Sequence, residues 1–255
     1  MKLSIFTAPV VAVLAMLPIA VSAQDTPIDD AEREKIEQVV QDYLMENPEI
    51  ISIAIRELQR RQTVSRMAPA IQMYRGYLEN DPETGVMGNP QGDVTIVEFF
   101  DYRCGYCRRH FPEVMQLVQS DGNIRYMPRQ FPVLDRTGET PVSLLAAKAA
   151  LAAHKQGKFA EFHIAAMTAE GSLTEDKIYQ IAGSVGLNVT RLKADMNDKL
   201  LGKSIQNTLA IGKDIGFEGT PGYIIGNDVI LGAEGRNRMK EAVDRARKEK
   251  VSAGQ

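Results

Sequence analysis

The 255-residue chain has only two cysteines, and they stand together as Cys104-Gly105-Tyr106-Cys107, just after a run from Val94 to Phe100. Apart from Thr95 and Glu98 that run is continuously apolar, the pattern of a strand buried on both faces. Behind the pair, Phe111, Val114, Met115 and Val118 recur at helical spacing, which predicts a helix from around Cys104 to about Gln119. Asp121-Gly122-Asn123 reads as a turn, and Ile124 to Phe131 as a second strand. The result is a strand–helix–strand unit with a dithiol at its first junction. Two cysteines rule out both a disulfide-stapled mini-fold and a four-cysteine zinc site.

The spacing has a chemical consequence. Two thiols separated by two residues meet across the first turn of a helix and can close a small disulfide ring. The first sulfur then lies near the helix N-terminus, where unpaired N–H groups and the macrodipole favour negative charge and lower a thiol pKa. The thiolate is both the attacking species and the good leaving group in disulfide exchange. Cys104 is therefore expected to be the exposed nucleophile and Cys107 the shielded resolving thiol. Arg103, Arg108, Arg109 and His110 flank the pair and can add positive potential, although a solvated helix face is the plainer expectation for any one of them. Two other uses of the cysteines compete. A structural bridge over two residues constrains little chain entropy and makes a poor staple. A Cu(I) site suits soft thiolates, but there is no second cysteine pair and only His110 is near. His154 and His163 read as ordinary helix residues, and the 11 methionines are scattered as core filler.

The rest of the chain falls into blocks. Lys2, an apolar run from Leu3 to Val21 and the small residues Val21-Ser22-Ala23 form a signal-peptide pattern, with cleavage expected after about Ala23. Pro9, Pro18 and the small-residue end argue against a retained membrane anchor. The mature chain would have 255 − 23 = 232 residues and, having lost only Lys2 among its charges, a net charge of −3 − 1 = −4. Such a leader suggests bacterial export, in a two-membrane cell to the oxidising periplasm. With 30 Lys and Arg against 33 Asp and Glu, the chain has no basic footprint, so nucleic acid is not an expected partner. The block over residues 24–85 carries helical patterns through Ile36, Val39, Val40, Tyr43 and Leu44 and, beyond the Asn47-Pro48 break, through Ile51, Ala54, Ile55 and Leu58. That stripe must bury itself on the main body or against a second copy. A helical block over about 138–215 follows the dithiol unit, with Thr140-Pro141 as a helix start, Ser172-Leu173-Thr174-Glu175 as a capping box, and Gly157 and Gly216 as stops. Tyr223-Ile224-Ile225 and Val229-Ile230-Leu231 flank Gly226-Asn227-Asp228 as a hairpin, and a last helix is expected from about Asn237 to Lys248.

At this point a resemblance is visible. The run from Val97 through Glu98-Phe99-Phe100-Asp101-Tyr102-Arg103 to Cys104-Gly105-Tyr106-Cys107 resembles the active-site strand and helix start of the DsbA family, bacterial exported thiol–disulfide oxidoreductases. The stretch Arg125 to Pro132, the helical insertion, the late Thr220-Pro221, the hairpin and the final helix follow in that family's order, over residues 86–255. The N-terminal extension is similar to that of the suppressor-of-copper-sensitivity protein C branch, whose members include oligomers.

The resemblance implies an α/β thioredoxin fold with an inserted α-helical domain and an N-terminal helical extension. It implies no cofactor beyond the Cys104–Cys107 dithiol, and as partners cysteine-containing exported proteins, a membrane redox partner and a second copy met through the N-terminal helices. It further implies that Pro221 is cis and faces the dithiol, with the Thr220 backbone free to pair with an extended substrate peptide; taken alone, an ordinary trans proline would be expected. Glu98, buried below the cysteines, would have a raised pKa and exchange a proton with Cys107; on an edge strand it would simply be solvated. The chain departs from the founding oxidases in carrying Gly105-Tyr106 where they have Pro-His, which removes a donor near the thiolate and predicts a less strongly oxidising disulfide. Gly105-Tyr106 and Thr220 are similar instead to the dimeric disulfide isomerases of the periplasm. The expectation leans to isomerase or reductase work in an oligomer. The alternatives are a monomeric oxidase recharged by a quinone-linked membrane partner, a Cu(I)-binding metal-resistance protein, and a binding module or chaperone carried by the N-terminal helices.

Overall fold

A computed structural model describes residues 29–253, so the expected leader peptide lies outside the described residues. The chain divides into two units, residues 1–53 and 54–255. In the first unit, α1 (Asp30–Glu46) starts where the Asp29 carboxylate accepts the Glu32 N–H at 2.8 Å, and it ends at Asn47. No residue of α1 is buried, and Ile36, Val39, Val40 and Tyr43 stand exposed. The next helix, α2 (Glu49–Asn80), begins in this unit and continues through the second. The expected single block over 24–85 is therefore divided. Within the second unit Met67, Ile71 and Leu78, four and seven residues apart on one helix face, are buried in the body's own core.

That body is built on a five-stranded sheet. After β1 (Met87–Gly88) come β2 (Val94–Phe100), α3 (Gly105–Asp121) and β3 (Ile124–Gln130), the expected strand–helix–strand unit. Five helices follow, α4 (Val142–Lys155), α5 (Phe159–Thr168), α6 (Glu175–Ser184), α7 (Val189–Asp195) and α8 (Lys199–Ile215); then β4 (Gly222–Ile225), β5 (Asp228–Leu231) and α9 (Arg236–Ala253). Strand order is β1-β3-β2-β4-β5, with β2 and β3 parallel and the other pairs antiparallel. β2 is thus central, which explains its apolar run.

The side-chain period of two divides β2 between two cores. Val94, Ile96 and Phe100 face α3, α9 and the helical insertion, together with Tyr126 and Tyr223. Val97 and Phe99 face the opposite way, toward Met67, Ile71, Ile211 and Ile215. Glu98 shares the first face. Among the described residues no helix is long and apolar enough to cross a membrane.

Two helix starts differ from expectation. Thr140 does not cap α4; Pro141 holds the N-cap position without a side-chain bond, and Asp135 accepts the N–H groups of Ser143 and Leu144 at 2.8 and 2.9 Å. For α6 the cap is Thr174, which accepts the Lys177 N–H, rather than Ser172. Gly216 ends α8 as expected, at φ 105°, a left-handed conformation that favours glycine.

One buried charge pair ties α2's trailing turn to the sheet. Arg129 on β3 is fully buried and donates to Asp81 at 2.9 Å, to Thr84 at 2.9 Å and to Thr208 on α8 at 3.3 Å. Removing one member of such a pair leaves an uncompensated buried charge. Asp81→Ala is therefore expected to cost about 3–5 kcal/mol and lower Tm by about 10 °C. The double substitution Asp81→Ala with Arg129→Met should recover most of that loss. Thermal melts of the three proteins check this; equal melting points for single and double variants would contradict it.

Candidate active site

The dithiol sits where β2 hands over to α3. Asp101 organises the approach: its carboxylate accepts the Arg103 N–H at 2.8 Å and the Leu134 N–H at 3.0 Å, closing the turn between strand and helix. Cys104 is the N-cap of α3, with extended backbone (φ −70°, ψ 113°), and its sulfur accepts the Cys107 N–H at 3.4 Å. The sequence thus makes its first cysteine do what Ser or Asp does at other helix starts. Both cysteines are free thiols here.

Their environments differ. Cys107 is fully buried, and burial pushes its pKa far up. Cys104, expected to be exposed, is itself buried at 5% exposure, because the Thr220-Pro221 loop packs over its sulfur. A hydrogen bond from the Cys107 thiol, aided by the Thr220 side chain and the N–H groups of Cys107 and Tyr106, outweighs its partial burial and holds it down at about 5. When protonated, Cys104 donates to the Thr220 carbonyl at 3.3 Å. The Thr220–Pro221 peptide is cis, in keeping with the expectation. A groove of about 360 Å³ runs past this loop, lined by Arg66, Phe217, Glu218, Pro221, Leu231 and Gly232 among others.

Gly105 and Tyr106 form the outer rim. A Cβ on Gly105 would come within 3.1 Å of the Arg109 guanidinium. Tyr106 is 64% exposed, with the Arg109 guanidinium 4.7 Å from its ring centroid. Arg103 pairs with Asp135 at 3.1 Å, and Arg108 donates to the carbonyls of Met167 and Gly171, pinning the insertion. These arginines serve local structure. His110 breaks the expected solvated face: it is buried, and its Nδ1 lies 2.9 Å from the Tyr223 hydroxyl. His163 is a helix residue as expected, in α5; it lies in the core against Tyr102, and burial lowers its pKa to about 3.

Behind the cysteines lies Glu98, 1% exposed and not on an edge. Tyr126 from β3 donates to its Oε2, and Tyr223 from β4 donates to its Oε1 at 3.1 Å. Burial raises the carboxyl to about 7, against the pull of the two hydroxyl donors. Its charge acts on both cysteines' side of the site, pushing Cys107 further up. The sequence marks His110 only as a basic residue flanking the dithiol, and Tyr126, Tyr223 and Asp101 only as members of their strands and of the motif. The β4 register sets Tyr223 directly opposite Glu98, a pairing visible only once the strands are aligned.

Comparison with known proteins agrees with this geometry. The thioredoxin family model matches residues 80–245, and the model of the copper resistance protein ScsC N-terminal domain matches residues 32–63. A thioredoxin-like oxidoreductase from Silicibacter pomeroyi is 42% identical in sequence, the match covering 68% of this chain and 98% of that one at a TM-score of 0.64. The thiol–disulfide exchange protein alpha-DsbA2 from Wolbachia pipientis is 30% identical, covering 74% and 97% at a TM-score of 0.64. Among curated proteins, the Na(+)/H(+) antiporter NhaA 1 of Salinispora arenicola is 30% identical over 152 residues, a match spanning only 22% of that protein's length. The dithiol at a helix start, the cis-proline beside it and these matches lead to one conclusion: the chain belongs to the thioredoxin-fold DsbA family of thiol–disulfide oxidoreductases.

Proposed function

We propose that this chain is an exported, periplasmic disulfide isomerase or reductase that works on cysteine-containing proteins as a homo-oligomer joined through its N-terminal helices. The observation that carries the chemistry is the asymmetry of the dithiol: a sulfur held near pKa 5 at the helix start beside the Thr220-Pro221 loop, and a second sealed behind it. The Cys104 thiolate attacks one sulfur of a substrate disulfide. The S–S bond breaks, a Cys104–substrate disulfide forms, and the other substrate sulfur leaves as thiolate. If a substrate thiolate then attacks the mixed disulfide, Cys104 is released and the substrate has a new pairing with no net change in electrons. If Cys107 attacks the Cys104 sulfur instead, substrate leaves reduced and the protein keeps the Cys104–Cys107 disulfide, which a membrane redox partner must reduce again. Thr220 and Pro221 border the groove in which an extended substrate strand would lie, and Gly105-Tyr106 form the rim it would cross.

Glu98 supplies the base for the second branch. Cys107 must lose its proton to attack, and a buried carboxyl raised to about 7 can take it. A Cys104 thiol held at about 5 instead of 9 favours the reduced protein at neutral pH. The thiolate is fully formed above that pKa, which is worth about 3 kcal/mol, or about 60 mV toward oxidising power. This places net oxidation within reach of the same dithiol. The lean to isomerisation rests on α1, whose apolar face of Ile36, Val40, Leu44 and Met45 lines a groove of about 480 Å³ with Ile51. Four apolar side chains on a helix with no buried residue invite a partner helix. Several active sites held together suit an enzyme that must remake wrong disulfides.

Reactivation of scrambled, fully oxidised ribonuclease in a glutathione buffer tests the reading. The mature protein should restore activity and Cys104→Ala should abolish that. Absence of reactivation together with fast oxidation of reduced ribonuclease would make this an oxidase, and failure in both assays would favour Cu(I) binding by the two sulfurs. The assembly has its own test. Ile36→Glu with Val40→Glu should convert the oligomer to monomer by light scattering, depress ribonuclease reactivation by about tenfold, and leave oxidation of reduced ribonuclease intact. A double variant of unchanged mass would contradict assembly through α1.

A further inference from the structure

The buried carboxyl poses a problem of access. During the mixed disulfide the substrate covers Cys104 and the mouth of the site, and Cys107 and Glu98 lie beneath it, 0% and 1% exposed. A proton taken up by Glu98 needs a way out that does not pass through the covered mouth. On the opposite side, hydrogen bonds continue. Glu98 Oε1 lies 3.1 Å from the Tyr223 hydroxyl, and that hydroxyl lies 2.9 Å from Nδ1 of His110. The other imidazole nitrogen, Nε2, is buried with no hydrogen-bond partner and points to Glu113, whose Oε2 is 3.9 Å away. The Glu113 side chain is 52% exposed, and the same oxygen accepts the Arg236 N–H at 2.9 Å at the start of α9. A histidine placed only to satisfy Tyr223 would not leave its second nitrogen aimed at a half-exposed carboxylate.

We propose that Tyr223 and His110 form the route by which the proton of Glu98 reaches solvent, with Glu113 at its outlet. The proposal rests on the reading that Glu98 takes the Cys107 proton. The transfer balances without any net ionisation of the wire. With Glu98 ionised, the Tyr223 hydroxyl donates to Glu98, Nδ1–H of His110 donates to Tyr223, and Nε2 is bare. With Glu98 protonated, its O–H donates to Tyr223, Tyr223 donates to Nδ1, and Nε2 carries the proton facing Glu113. Loss of that proton to Glu113 or water, with a shift of one proton along each bond, gives the first arrangement, and a return of His110 to its Nε2–H tautomer resets the wire for the next turnover. The net result is one proton moved from Glu98 to solvent.

The surroundings suit relay rather than capture. Glu98 is faced by Tyr126 from β3, Tyr223 from β4, Tyr102 from the β2–α3 turn and the two cysteines at the start of α3. His110 is faced by Tyr223 and by Glu113 of its own helix. Burial lowers the His110 pKa, so the ring stays neutral and does not trap the proton as imidazolium. Burial likewise raises Tyr223, which therefore passes a proton without dissociating.

The test is the rate at which Cys107 resolves a preformed disulfide between Cys104 and glutathione, followed over a range of pH in single-turnover mixing. In the parent protein the rate should show an inflection near 7, rising as Glu98 ionises. Glu98→Gln should remove the inflection and slow resolution by about a hundredfold. His110→Phe should keep the inflection, because Glu98 still titrates, but lower the plateau by about tenfold or more and make it depend on buffer concentration. Glu113→Gln, at a half-exposed position that tolerates change, should give a smaller loss in the same direction. His110→Ala guards against a merely structural effect: added imidazole should restore its rate, whereas a packing defect would not respond. If Glu98→Gln behaves as described but both His110 variants resolve like the parent, the route is wrong and the role of Glu98 stands. If Glu98→Gln itself resolves like the parent with the inflection intact, the underlying reading fails and the route falls with it.

Discussion

The N–H of Cys107 aimed at the sulfur of Cys104 is the contact around which the site is organised. A helix start leaves backbone N–H groups without partners, and here the capping side chain is a thiol. The hydrogen bond that ends one structural problem thereby creates a nucleophile. The same turn carries the second sulfur one helical turn inward, where no water stabilises its charge. Two identical side chains three positions apart thus receive opposite pKa shifts, one pulled down to about 5 and the other pushed up by burial.

The central position of β2 carries this further. A strand paired on both edges and covered on both faces has no room for a charge unless neighbouring strands supply donors. Glu98 has Tyr126 on one side and Tyr223 on the other, so the carboxyl is satisfied by hydrogen bonds and still raised by burial to about 7. Both tyrosines come from strands that the sheet must bring alongside β2. The insertion from α4 to α8 interrupts the chain between those strands without disturbing their register. The antiparallel β4 then returns with Thr220 and Pro221 at its start, which sets the substrate-side loop across from the dithiol.

Much of this was legible in the sequence because local rules suffice for it. The apolar run around Glu98, the helix behind Cys107, the hairpin about Gly226-Asn227-Asp228 and the stop at Gly216 each follow from short-range pattern, and the α/β thioredoxin fold with its helical insertion was expected from their order. The features that escaped depend on long-range pairing. His110 lies among arginines and reads as part of a solvated face, yet the helix turns it inward to Tyr223, 113 positions away in sequence. Asp135 caps α4 from across a loop, where Thr140 stood in the local pattern. The extent of α2 was similarly hidden. Met67, Ile71 and Leu78 sit in a polar, arginine-rich stretch, and only the underside of the sheet shows that this half of the helix belongs to the catalytic body while Ile36 to Tyr43 remain uncovered.

The chemistry of the site depends most on the unequal thiols, and the ultraviolet absorbance of the thiolate, followed against pH in the reduced protein, tests that most directly. A thiol whose pKa is depressed is ionised above its shifted value and becomes protonated as the pH falls through it. A single thiolate signal should be lost with a midpoint near 5, absent from the oxidised protein and from Cys104→Ser, with Cys107 remaining protonated well into the alkaline range. A midpoint at the ordinary thiol value of 9, or two thiols titrating together, would contradict it.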